Sequence, residues 1–211
     1  MKKHTIWVAG IVLLSLAIVS GAWAQQRLLS FLPYAGLGKA TGEGSEYWKM
    51  GFTIGGGVLY PIAPNIQIGG RVGFVRFSPN EDKLTEDIRD ELGIPSGELD
   101  IDLSGSFFRS LEFMGLVRVS SVPAQSGGPS FFGQAGFGYC SLAAKTKTKV
   151  TYQGLTFTEE AEDSEGQPGI SLGAGIRFGK GVAVEIMPAY TVIFTEDEST
   201  KYFTVTVGAI F

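Results

Sequence analysis

From Leu28 onward the chain alternates apolar with polar or small positions in short runs, punctuated by glycine and turn residues. A period of two is the signature of half-buried strands. In the closing segment Phe203, Val205, Val207, Ala209 and Phe211 share one face, while Tyr202, Thr204, Thr206 and Gly208 share the other. Upstream, Val182, Val184, Ile186, Pro188, Tyr190, Val192 and Phe194 oppose Ala183, Glu185, Met187, Ala189 and Thr191. Ile170, Leu172, Ala174, Ile176 and Phe178 likewise oppose Ser171, Gly173, Gly175 and Arg177. The pattern predicts about eight strands. They are Leu28–Lys39, Trp48–Ile62, Ile66–Phe77, Ser104–Ser120, a fifth from Ser130, then Gly169–Phe178, Val182–Phe194 and Tyr202–Phe211.

The connections alternate in length. Ala63-Pro64-Asn65, Ser121–Pro129 and Gly179-Lys180-Gly181 are the short ones. Ala40–Tyr47, Ser78–Leu103, Lys145–Pro168 and Thr195–Lys201 are mostly longer and more charged. Short turns at one end and long loops at the other are what a closed up-and-down transmembrane barrel requires. The faces agree: bulky residues stand on the charge-free side, and Gly, Ala, Thr and Ser on the other, which suits lipid outside and a crowded lumen within. Each strand reaches the roughly 9–11 tilted residues of a bilayer crossing. Aromatics collect at strand ends, with Phe31, Tyr60, Phe131, Phe178 and Phe211 at one rim and Trp48, Phe107, Phe194 and Phe203 at the other. Phe77 has the wrong parity for a lipid-facing aromatic, so a bulge or an early strand end is expected there.

Composition narrows the chemistry. Of 211 residues 30 are glycine and only 18% are charged, which excludes a disordered chain or a coiled coil. The net charge of −4 argues against nucleic-acid binding. Lys2 and Lys3, the apolar run Ile6–Val19 and Ala22-Trp23-Ala24 read as a signal peptide over residues 1–24, leaving 25–211 as one domain. The only histidine, His4, leaves with that segment, and Cys140 is the only cysteine. Ser–His, Cys–His and His-ligated metal chemistry are thereby unavailable, and no catalytic residue, cofactor or metal site is expected.

The chain resembles the small OmpA/OmpX-like outer-membrane β-barrel family. The residues that carry the likeness are Phe31-Leu32-Pro33-Tyr34-Ala35-Gly36-Leu37-Gly38 and the closing Tyr202–Phe211. The resemblance implies an all-β, eight-stranded antiparallel barrel in the cell outer membrane. It also implies that Tyr202, Phe203, Val205, Val207, Gly208 and Phe211 form the signal read by the barrel-assembly machinery. Because the chain stops at Phe211, no peptidoglycan-binding domain is expected, and histidine-dependent lipid-modifying activity does not carry over.

Strand parity places Arg71, Glu112, Arg118, Gln134, Arg177 and Glu185 in the lumen, a polar network read as a structural plug of paired charges. With Gly179–Gly181 as the hairpin loop, Arg177 lies diagonal to Glu185. Cys140 is expected to be an inert small lumen residue. In the loop Ser78–Leu103, Ser78 and Glu81 form a capping box with Pro79 at the first helical position. Leu84, Ile88 and Leu92 then share one helical face, and Gly93 ends it. Lys145–Lys149 and Glu159–Glu162 flank Gln153-Gly154; a two-residue turn there pairs Lys147 with Glu160 and Lys145 with Glu162 in a protruding hairpin.

The function this supports is a non-catalytic, monomeric envelope protein with a structural or surface-interaction role. Its expected partners are outer-membrane lipid and lipopolysaccharide, with a surface ligand at loops 78–103 and 145–168. The alternative is a narrow pore or a barrel binding a small ligand or lipid.

Overall fold

The computed structural model describes residues 29–93, 99–121, 128–152, 155–179, 182–195 and 199–211. The expected signal peptide, residues 1–24, and the turn expected at Gln153-Gly154 lie outside these residues. The elements are β1 (Ser30–Thr41), β2 (Gly51–Ala63), β3 (Ile66–Phe77), α1 (Glu81–Leu92), β4 (Leu99–Asp102), β5 (Phe107–Ser120), β6 (Ser130–Tyr152), β7 (Leu155–Phe178), β8 (Ala183–Ile193) and β9 (Thr200–Ile210). Eight of the strands pair antiparallel with their sequence neighbours, and β1 on β9 closes the ring. The ninth, β4, pairs among the described residues only with the end of β6.

Alternation decides the two faces. On β5, Ser110, Glu112, Met114, Leu116, Arg118 and Ser120 are buried, while Leu111, Phe113, Val117 and Val119 stand exposed outside. On β9, Tyr202, Thr204 and Thr206 are buried, and Phe203, Val205 and Val207 are exposed, as is Phe211 just after it. Ile54, Val58, Val72, Phe137, Leu172 and Ile186 extend the exposed apolar surface around the wall. A belt of that size is far beyond the patch a soluble monomer presents to water, so the outer solvent is hydrocarbon.

Three features differ from expectation. Phe77 is fully buried because β3 runs on without a break and carries it into the lumen on the parity of Arg71; the bulge falls instead between Pro61 and Ala63 of β2. The β7–β8 hairpin pairs Phe178 with Val184 and Arg177 directly with Glu185, a register two residues away from a loop of Gly179–Gly181. The positive φ of Gly179 (117°) starts the chain reversal there. Finally, the protruding β6–β7 hairpin, which sets Lys147 opposite Glu160 and Lys145 opposite Glu162 as expected, is more than a two-stranded ladder. β4 adds a third strand to the tip of that ladder.

Candidate functional site in the lumen and at its loop-side mouth

The interior is crossed by hydrogen-bonded ties at two heights. Nearer the short turns, Arg118 of β5 is completely buried and grips Glu185 of β8 with both nitrogens, at 2.7 and 2.9 Å. β6 and β7 lie between these strands in the ring, so the pair spans the interior rather than running along the wall. Gln134 Oε1 accepts from Nε and Nη2 of the same arginine at 3.0 and 2.7 Å, and its guanidinium lies 4.1 Å from the Phe132 ring centre. A planar fork held by an amide below and an aromatic face beside it is preorganised for bidentate carboxylate binding.

That geometry revises the expected pairing of Arg177. It faces Glu185 directly across the ladder rather than diagonally, yet both carboxylate oxygens bind Arg118. Arg177 is buried, and its Nη2 has no hydrogen-bond partner among the described residues; neither have Gln67 Oε1 and Ser130 Oγ in the same half of the lumen. The charges of the plug are thus not all paired.

Nearer the loops, Glu112 of β5 accepts from Arg71 Nη2 at 2.9 Å and from the hydroxyl of Tyr202, which reaches it from β9 on the far side of the ring. Gly73, directly opposite Glu112, makes room for this arrangement: a Cβ there would meet the Tyr34 hydroxyl at 2.6 Å and Glu112 Oε2 at 3.5 Å. Cys140, also opposite Glu112, is fully buried. Above the ionic layer Phe77 packs on Tyr202 and Phe108, with ring centres 5.8 and 6.1 Å apart, and Trp48 covers Phe108 at 5.9 Å. Phe77, Phe108 and Met114 belong to this interior although sequence reasoning did not name them in it, and Tyr202, put on the inward face, was not named in the polar network. The usable signal was parity, since Tyr202 falls in line with Thr204 and Thr206.

Trp48 is therefore a lid over the lumen and not part of an outer aromatic girdle. The β1–β2 loop folds back to place it: Trp48 bridges Pro79, Lys49 N donates to Ser78 O (2.9 Å) and Asn80 N donates to Tyr47 O (2.7 Å). The same pairing occupies Ser78 and Pro79, so they cannot form the expected capping box; α1 begins at Glu81 with Asn80 as its cap residue. Its other end is as the glycine suggests, with Gly93 at φ 63° returning its N–H to the last carbonyls. Leu84 and Ile88 pack on Ile101 and Leu103, which docks the helix against β4 and the residue after it, and Val150 of β6 packs on the same two residues. A cleft of about 530 Å³ opens above the lid, with Thr41, Glu43, Thr200 and Lys201 in its walls.

α1 is latched to the mouth by Asp87, which accepts from Tyr47 Oη at 2.9 Å and from Lys83 Nζ at 2.7 Å. These bonds, that from Lys83 foremost, hold the Asp87 carboxyl below its usual value of 3.8. A lowered carboxylate contributes above its unfolded value and is lost as pH falls through the folded one. The protection of α1 amides, as the exchange rate relative to that of an unfolded chain at the same pH, is therefore expected to be unchanged from neutral pH down to about 4 and to fall below it. Asp87→Asn is expected to remove that step; a step persisting in the variant would assign it to another group.

Closed ring, apolar belt and length-asymmetric connections converge with a direct comparison. A sequence model of the outer membrane protein beta-barrel domain matches residues 9–211. The chain belongs to this family. Its place is the cell outer membrane, with the short turns on the periplasmic side and the long loops outside. Among solved structures, this outer-membrane barrel is similar to the Neisserial surface protein A (11% identity, 86% of this chain and 95% of that one, TM-score 0.48). It is also similar to the N-terminal β-barrel domain of Pseudomonas aeruginosa OprF (10% identity, 89% and 100%, TM-score 0.46). A third is Ail, the attachment invasion locus protein of Yersinia pestis (14% identity, 87% and 97%, TM-score 0.43). No curated protein matches the sequence.

Proposed function

We propose that this outer-membrane barrel is a non-conducting, non-catalytic monomer whose interior holds its shape and whose external extensions meet surface ligands. The observation that carries the reading is the pair of cross-lumen ties, Arg118–Glu185 and Tyr202–Glu112–Arg71, beneath a lid of Phe77, Phe108 and Trp48. An eight-stranded wall leaves an interior that side chains can fill, and here they meet across it. On this reading the network of Arg71, Glu112, Arg118, Gln134, Arg177 and Glu185 is structural. Tyr202, Phe203, Val205, Val207, Gly208 and Phe211 are the terminal strand that the assembly machinery reads, and residues 1–24 are a removed signal peptide.

The outside supports the surface role. Along Thr156–Gln167 β7 has β6 on one side and no ladder partner on the other among the described residues; Phe194 N donates to Pro168 O, and β8 joins at Gly169. That free edge carries Glu159, Glu160, Glu162, Asp163 and Glu165, of which Lys145 engages Glu160 (2.5 Å) and Glu162 (3.9 Å). Its chemistry suits a basic, extended segment on a neighbouring surface. Planar-bilayer recording of the refolded barrel is expected to show no unitary steps. Steady steps from wild-type protein would replace this reading with a narrow pore.

A further inference from the structure

The outward faces of the barrel are free of charge at the periplasmic rim and at mid-height among the described residues; basic side chains enter only toward the loops. Two of these stand opposite each other. Arg76 of β3 and Arg109 of β5 are a direct cross-strand pair, the next outward step above Phe74–Leu111 and Val72–Phe113. Direct neighbours have Cβ atoms about 4.5–5.5 Å apart, and like charges there repel. Neither arginine makes an ion pair among the described residues, and neither donates a side-chain hydrogen bond there. Both are exposed, and both lie over one ring, that of Phe107, at 4.8 and 5.2 Å from its centre. The ring orients the two forks side by side without cancelling either charge.

We propose that Arg76, Phe107 and Arg109 form a clamp for a phosphate of an outer-leaflet glycolipid, lipopolysaccharide being the source. This inference goes beyond the surface-ligand reading above, since it concerns the barrel wall and not the extensions. Three features select a lipid-borne phosphate. A tetrahedral dianion bridging two guanidiniums turns their repulsion into two charge-assisted, fork-shaped contacts. The pair sits where the apolar belt ends, so a headgroup bound there leaves its acyl chains against Phe74, Leu111, Val72 and Phe113. Phe52, opposite Arg76 and packed on Phe74 with ring centres 6.0 Å apart, widens that apolar floor. A free phosphate would gain nothing from this floor.

The test uses the folded full-length barrel in detergent, titrated with diphosphoryl lipid A, with its dephosphorylated form and with inorganic phosphate, and read by native mass spectrometry. Diphosphoryl lipid A is expected to remain bound to the wild type and to bind about tenfold or more weakly to Arg76→Gln/Arg109→Gln. Lys147→Gln/Lys149→Gln, on the protruding ladder, is expected to behave as wild type. Should the double variant fail the heat-modifiable mobility check, Arg109→Lys supplies the comparison; it keeps the charge, loses the fork and is expected to bind more weakly than wild type. Equal retention of dephosphorylated lipid, or undiminished binding by a folded variant, overturns the clamp. Competition by inorganic phosphate at concentrations comparable to the lipid would make it a simple anion site and overturn the lipid assignment. Neither result bears on conductance, which tests the closed interior separately.

Discussion

Glu185→Leu is expected to lower the unfolding free energy of the barrel by about 3–5 kcal/mol, read from urea unfolding in lipid vesicles. Glu185 is 2% exposed and is the carboxylate that neutralises Arg118, which is 0% exposed. Removing it strands Arg118 in the interior beside Arg177, whose Nη2 already lacks a partner among the described residues. The sign of the effect depends on leaving a charge behind and not on losing a bond as such. The double replacement Glu185→Leu/Arg118→Leu removes both members and is expected to recover most of the loss, since apolar pairs of similar volume often match a buried ion pair. Equal losses in the single and double variants would show that Arg118 does not depend on Glu185, and the cross-lumen tie would have to be abandoned as an energetic unit.

Val205→Arg is expected to cost about 2–4 kcal/mol and to reduce insertion, the penalty for a cation on the lipid face near mid-height. Val205 is 41% exposed, lies opposite Leu37 on β1 and Pro188 on β8, and has hydrocarbon as its surroundings. Its neighbour Thr206 faces inward and donates to Met187 O at 3.2 Å. Thr206→Val keeps the shape and loses one neutral hydrogen bond, so about 1 kcal/mol is expected. Unfolding titrations of the two variants decide the face assignment, because comparable costs at both positions would contradict it.

Much of the architecture was legible because a strand has a side-chain period of two. One glance at Phe203–Phe211 sorts the residues of β9 into two faces, and the alternation of short and long connections sorts the ends of the barrel. The signal weakened where one residue type serves two roles. Phe77 looked misplaced because a bulky aromatic was assumed to seek lipid, whereas the interior needed it as a cover between Tyr202 and Phe108. Trp48 looked like a girdle residue for the same reason, and only the pairing of the β1–β2 loop with Ser78, Pro79 and Asn80 turns it inward. The capping box at Ser78 was a sound local motif that lost its first residues to that same tertiary pairing.

What the sequence determined by itself was therefore what local periodicity can carry: strand faces, the closed antiparallel order, the lipid-facing belt and the family to which the chain belongs. Which interior groups meet was decided only by closure. Arg118 and Glu185 are 67 residues apart, and Tyr202 and Glu112 are 90 apart, separations at which no local pattern acts. Their contacts depend on strand stagger and on a hairpin register that no spacing rule supplies, as the two-residue difference at Arg177 shows. The Arg76–Phe107–Arg109 cluster has the same origin. It exists because β3 and β5, far apart in sequence, pair directly in the wall.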